Sequence, residues 1–219
     1  MADRVRKVIT RRTKRALYKF PSLRQARTVY CESGLEFDYA HLLEFDRAVL
    51  SYREQPFHVP YLLDGKRRSY TPDFLVGRAR GYDLVEVKKT ADVPRERNQA
   101  LFQAVAPVCA EHGYRFVVVD GDQIRLQPRL HNVKLLLKYA RTPIAPRHQF
   151  LCRELFAKKS DVTLGDLLEL FRADEGGRLV AFALICRGAL SVDLMTPLNA
   201  DAPVALPALT LSAGEVRRA

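Results

Sequence analysis

The stretch from Ser69 to Lys89, SYTPDFLVGRARGYDLVEVKK, constrains the fold more than any other part of the chain. Two apolar runs, Phe74–Val76 and Tyr82–Val87, flank a loop that opens at Gly77 and closes at Gly81. That pattern predicts a β-hairpin. Side chains of a strand alternate between faces, so Leu84, Glu86 and Lys88 share one face and Val85 and Val87 the other. If the two runs pair across the loop, Asp73 comes beside Glu86. Two carboxylates and an amine then converge at one edge of a sheet. Read as structure alone, Glu86 and Lys88 are an exposed ion pair of little energetic weight.

The rest of the chain gives this hairpin its setting. The sequence has 219 residues, 47% of them hydrophobic, enough for one large domain or two small ones. No apolar run approaches the roughly 18 residues that span a bilayer, and the N-terminus carries no secretory pattern. The four cysteines, Cys31, Cys109, Cys152 and Cys186, are scattered with no zinc-like spacing. They read as small buried residues of a protein from a reducing cytosol. The formal charge of +11 points to a polyanionic partner, because a basic protein gains affinity for nucleic acid by releasing condensed counterions. Residues 1–27 hold ten cations against one acid. They lack a helical apolar stripe and read as a basic arm, much of it extended or disordered when free, that tracks phosphates.

Glu32 to Val49 has helical spacing, with Leu35, Tyr39, Leu42, Leu43 and Phe45 recurring. Ser33 and Glu36 form a capping-box pattern. Glu36 is therefore either a cap or a third carboxylate near the hairpin, and spacing favours neither. Glu44 lies two turns further along roughly the same side. Ser51 to Tyr61 reads as a strand that Pro56 and Pro60 confine to an edge or a bulge. The turn Asp64-Gly65 leads into a strand over Arg67–Val76, so the sheet begins as a three-stranded antiparallel meander ending at Lys88. Arg95 to His112 is a second helix, with Leu101, Phe102, Val105, Val108 and Cys109 as its buried face and Pro107 expected to kink or split it. The apolar run Tyr114–Asp120 reads as a buried strand, reached by a crossover and so parallel to Leu84–Lys88. These elements predict a mixed-sheet α/β/α sandwich centred on the carboxylate hairpin. Beyond Pro128 the pattern becomes short helices over Asn132–Tyr139, Phe150–Ala157 and Leu164–Phe171. A helix, a turn at Gly188 and a strand over Ala189–Leu194 follow, as in a small winged-helix unit. The expected division is a basic arm (1–29), an α/β domain built on the hairpin (30–128), a winged-helix-like domain (129–200) and a tail (201–219).

Pro72-Asp73 followed by Glu86-Val87-Lys88 resembles the PD-(D/E)xK pattern of restriction-like nucleases. A longer ordered series is more specific. It runs Glu32-Ser33-Gly34-Leu35-Glu36, Leu43-Glu44-Phe45-Asp46, Tyr52-Arg53-Glu54-Gln55-Pro56, Tyr70-Thr71-Pro72-Asp73-Phe74 and Glu86-Val87-Lys88. It resembles the TnsA-type endonuclease subunit of heteromeric cut-and-paste transposases. The resemblance implies a restriction-endonuclease-like α/β/α core followed by a small winged-helix-like domain. It also implies cleavage of the non-transferred strand at the 5′ ends of a transposon in double-stranded DNA. The implied partners are an integrase-fold transposase subunit and an ATP-dependent regulator, in a prokaryotic cytoplasm and without a membrane.

The same resemblance places the catalytic set on Glu36, Asp73, Glu86 and Lys88. Hard oxygen ligands suit Mg²⁺, with Mn²⁺ able to substitute. The expected metal ligands are Asp73, Glu86, the carbonyl of Val87, and Glu36 for a second ion or its water, while Lys88 would stabilise developing negative charge. Arg11, Arg12, Lys14 and Arg15 of the arm, with Lys89 beside the site, are the expected DNA contacts. The alternatives are another restriction-like nuclease of repair, junction resolution or defence, and a non-enzymatic DNA-binding adaptor that keeps the fold.

Overall fold

The computed structural model describes residues 17–173 and 176–207. It divides into two units, residues 1–130 and 131–219.

The described part of the first unit opens with a β-hairpin, β1 (Tyr18–Ser22) and β2 (Arg27–Cys31), where the basic sequence suggested an arm, much of it extended or disordered when free, through residue 27. The hairpin is anchored by groups remote in sequence. The buried Glu44 carboxylate accepts from Ser22 Oγ at 2.7 Å, from the Leu23 and Arg24 amides at 2.9 Å each, and from the Tyr52 hydroxyl at 2.6 Å. The Arg24 guanidinium donates to the carbonyls of Val49, Glu44 and Asp46, and Arg27 pairs with the buried Glu54 through two hydrogen bonds. Arg24 and Arg27 are therefore structural cations, and Glu44 is a structural anion rather than a companion of Glu36.

Helix α1 (Gly34–Phe45) begins at Ser33, whose hydroxyl caps the Glu36 amide. It stops at Phe45, short of the expected Val49, where the Asp46 amide closes the last turn on the Leu42 carbonyl and the chain enters β3 (Val49–Glu54). The expected strand over Ser51–Tyr61 is two strands, since Gln55 and Pro56 break it before β4 (Val59–Leu63). The expected Arg67–Val76 strand is likewise divided by Thr71–Asp73 into β5 (Lys66–Tyr70) and β6 (Phe74–Arg78). β4 and β5 form a separate hairpin. Next come β7 (Gly81–Lys88), a 3-10 turn over Thr90–Asp92, helix α2 (Glu96–Glu111), β8 (Tyr114–Asp120) and the short α3 (Gly121–Ile124). The main sheet has the order β3-β6-β7-β8, so β6 and β7 are its centre; β3, β6 and β7 form the expected antiparallel series ending at Lys88, with the β4–β5 hairpin inserted between its first two strands. β6 is antiparallel to both β3 and β7, and β8 is parallel to β7, as the crossover pattern predicts.

The period of two in β7 sorts its side chains between two cores. Val85 and Val87 pack with Leu35, Tyr39, Ala40 and Leu43 of α1 on one face. Leu84 packs with Val105 and Cys109 of α2 and Val59 of β4 on the other. Helix α2 is continuous through Pro107. Pro107 and Gln103, whose carbonyl loses its donor, are both exposed, so water can satisfy that carbonyl without breaking the helix. This mixed α/β arrangement fits a nuclease-like α/β core.

The second unit contains α4 (Arg129–Leu137, which starts at the boundary), α5 (Pro146–Lys158), α6 (Leu164–Leu170) and α7 (Gly177–Cys186), then the short strands β9 (Ser191–Val192) and β10 (Val204–Ala205). Gly177 has to be glycine, because a Cβ there would lie 1.7 Å from the Phe171 carbonyl oxygen. β9 and β10 pair antiparallel, and Thr163 bridges to Pro203. The stretch after Asp201, expected as a tail, thus supplies a strand with Ala202 and Val204 buried. Cys31, Cys109 and Cys152 are buried free thiols and Cys186 is half-buried. Among the described residues, no helix is long and apolar enough to cross a membrane.

Candidate active site

The β6–β7 register sets Phe74 opposite Val85. One step beyond that pair lie Asp73 and Glu86, as the sequence predicts. Asp73 Oδ2 accepts from the Val87 amide at 2.7 Å, which ties the carboxylate across the hairpin. The Asp73 carbonyl accepts from the Gln55 amide at 2.8 Å. Its carboxyl is pushed well above the usual carboxylate range, first by burial and then by the charges of Glu86 and Glu36; the Val87 amide and Lys88 only partly offset this.

Glu86 is buried, and both its oxygens are engaged: the Tyr70 hydroxyl donates to Oε2 and the Lys88 ammonium to Oε1. Burial pulls the Lys88 ammonium down, but Glu86 and Asp73 outweigh it and the net shift is upward, so the amine stays charged. The Tyr70 hydroxyl is raised by burial, then by Glu86 and Asp73, and stays protonated as a donor. Asp73, Glu86, Val87 and Lys88 are therefore brought together.

Glu36 stands at the start of α1. Its oxygens accept from the Glu32 amide at 2.7 Å and from Ser33 Oγ at 2.8 Å, so it caps α1. It is also close enough to the hairpin for its charge to raise the Asp73 carboxyl. Its own carboxyl is raised mainly by burial, with Glu32 and Glu86 adding to the shift against the opposing cap bonds. Lys89 is exposed at the end of β7. Arg11, Arg12, Lys14 and Arg15 lie outside the described residues.

The donors gathered here are oxygens, the type that a hard divalent cation takes. Asp73, Glu86 and Glu36 supply carboxylate oxygens whose mutual repulsion a cation would relieve. The buried Gln55 Oε1 has no hydrogen-bond partner, which leaves an unused acceptor on the residue whose backbone N–H holds the Asp73 carbonyl. Among the described residues, no three His, Cys, Asp or Glu side chains form a ready-made cage. Glu36 is turned onto its own helix start, and Glu86 onto Tyr70 and Lys88.

Sequence reasoning missed Tyr70 and Gln55 as site residues. Tyr70 ends β5, three residues before Asp73, and its contact with Glu86 depends on how the β4–β5 hairpin folds back. Gln55 has a positive φ of 42° although it is not glycine, a feature that composition does not reveal.

Residues 46–121 match the family model described as TnsA-like endonuclease N terminal. The matched segment contains Gln55, Tyr70, Asp73, Glu86, Val87, Lys88 and Lys89, and it ends before the second unit. No curated protein matches the chain. The match supports a nuclease of the TnsA type, the family that the motifs resemble.

Proposed function

We propose that this chain is a metal-dependent DNA endonuclease subunit of a transposase, cutting the non-transferred strand at the 5′ ends of a transposon. The observation that carries the reading is the meeting of Asp73 and Glu86 across β6 and β7, with Lys88 on the Glu86 side of the strand. A TnsA-like domain implies a DNA substrate and partnership with a transposase; an integrase-fold subunit would process the 3′ ends and an ATP-dependent regulator would control assembly. The folded order of the second unit, helices followed by the β9–β10 ladder, supports a winged-helix-like module. The working compartment is the prokaryotic cytoplasm.

Asp73, Glu86 and the Val87 carbonyl would hold Mg²⁺ or Mn²⁺, and Glu36 would hold a second ion or its water. When bound, the cation supplies Lewis-acid stabilisation of the phosphate and lowers the proton affinity of a water. The chain's own groups do the rest. The Val87 amide fixes Asp73, Tyr70 fixes Glu86, and the Lys88 ammonium faces the negative charge that develops on the phosphate.

The test is strand cleavage by the chain reconstituted with a transposase partner on end-containing duplex in Mg²⁺. Asp73→Ala is expected to abolish cleavage at the 5′ ends while leaving the far-UV spectrum unchanged. Cleavage by Asp73→Ala at the wild-type rate would overturn the assignment.

A further inference from the structure

The residue at which β3 stops is held against two local preferences. Gln55 adopts φ +42°, in the left-handed region that L side chains rarely occupy. It also precedes Pro56, whose ring drives the preceding residue toward extended backbone. Such a conformation persists only where surrounding structure imposes it, and it concentrates at functional sites. A turn alone would call for glycine here; the chain instead carries a long polar side chain that is only 5% exposed.

Backbone and side chain of Gln55 are both tied to the site. The Gln55 backbone N–H donates to the Asp73 carbonyl at 2.8 Å. Its Nε2 donates to Glu32 Oε1 at 2.7 Å, and the Glu32 amide in turn donates to Glu36 Oε2 at 2.7 Å. Three hydrogen bonds thus run from Asp73 at the head of β6 to Glu36 at the head of α1. The carboxylate on Glu32 fixes the amide orientation, since only the NH₂ group can face an acceptor. The opposite atom, Oε1, is then buried without a partner. A buried acceptor left open is costly unless a donor reaches it.

We propose that Gln55 is a positioning residue of the cleavage site: its strained backbone and its amide set Asp73 relative to Glu36, and its Oε1 accepts from a water in the shell of a hydrated divalent cation. The inference rests on the metal-dependent reading of the site. Two substitutions separate the backbone from the side chain. Gln55→Gly removes the amide and suits the left-handed backbone; Gln55→Ala removes the amide and keeps the strain.

The experiment is Mn²⁺ calorimetry on the full chain, with thermal melting in parallel, for wild type, Gln55→Gly, Gln55→Ala and Asp73→Ala. Both Gln55 variants are expected to bind Mn²⁺ about 10–100-fold more weakly, the loss typical of removing an outer-shell partner. Gln55→Gly is expected to melt above Gln55→Ala. If Gln55→Ala does not fold, Gln55→Gly still tests the side chain. Wild-type Mn²⁺ affinity in a folded Gln55→Gly would overturn the inference and leave the Asp73 assignment standing. Equal melting of the two variants would remove the strain argument. Wild type that binds no Mn²⁺, with or without duplex, would overturn the metal reading and this inference together; that outcome is recognisable because Asp73→Ala would then match wild type.

Discussion

Glu86 has both oxygens occupied by protein donors, Tyr70 on one side and Lys88 on the other. The two donors have separable roles. Lys88→Ala is expected to lower cleavage by about 10²–10³-fold, the scale of losing one charge-stabilising donor, while Mn²⁺ binding survives; loss of Mn²⁺ binding as well would make Lys88 structural. Tyr70→Phe removes one hydrogen bond and is expected to cost about 1 kcal/mol of stability. It is also expected to weaken Mn²⁺ binding about tenfold or more. Unchanged calorimetry would reduce Tyr70 to packing against Phe116, whose ring centroid lies 6.1 Å away. Asp73, Glu86 and Lys88 were legible in the sequence because strand alternation and hairpin pairing are local rules. Glu36 was legible only as two alternatives; its hydrogen bonds serve the start of α1, and its charge also reaches Asp73. Tyr70 and Gln55 were not legible in role, because their partners are set by how separate hairpins and strand ends fold together.

At the scale of elements, the sequence located α1, α2, β7 and β8 through periodicity, and it failed where one polar residue organises several strands. Glu44 is the clearest case: four donors from β1, its turn and β3 converge on one carboxylate. Glu44→Ala would leave these buried donors unpaired and is expected to destabilise the first unit by about 3–5 kcal/mol in urea denaturation. Wild-type stability would mean that the hairpin stands without it. In the second unit, Thr163 and Asp166 form the capping box of α6, and Lys159 pairs with Asp166 at 2.7 Å. The Asp166 carboxyl is held down at about 2, against an ordinary value of 3.8, first by Lys159 and then by the Thr163 amide. A carboxyl depressed on folding adds stability above its unfolded value and loses it as pH falls through the folded one. The advantage of wild type over Asp166→Asn is therefore expected to be full near neutral pH and to fade between about 3.8 and about 2. A pH-independent difference would assign it to the cap geometry rather than to charge.

At the scale of the molecule, the charge is unevenly placed. Residues 1–16 carry seven cations against one acid, more than half of the net +11. Arg24 and Arg27, counted with the arm on sequence grounds, serve the β1–β2 hairpin instead. A deletion meant to test DNA binding by the arm should therefore stop at residue 16. It is expected to weaken duplex binding and flatten its dependence on salt by several units of slope, at about 0.9 for each phosphate no longer neutralised; an unchanged slope would exclude the arm. The α/β/α layering was legible because each layer has its own period, whereas the division of the expected long strands at Gln55 and at Thr71–Asp73 was not, since proline and strain there are resolved only by tertiary packing.

The most direct measurement is Mn²⁺ binding by calorimetry, wild type against Asp73→Ala, first without DNA and then with a short duplex. Binding by wild type that is absent in Asp73→Ala is expected, in at least the duplex-containing titration, where phosphate oxygens can complete the coordination. Equal binding by both proteins, or none by either with duplex present, would contradict a metal site at the head of β6.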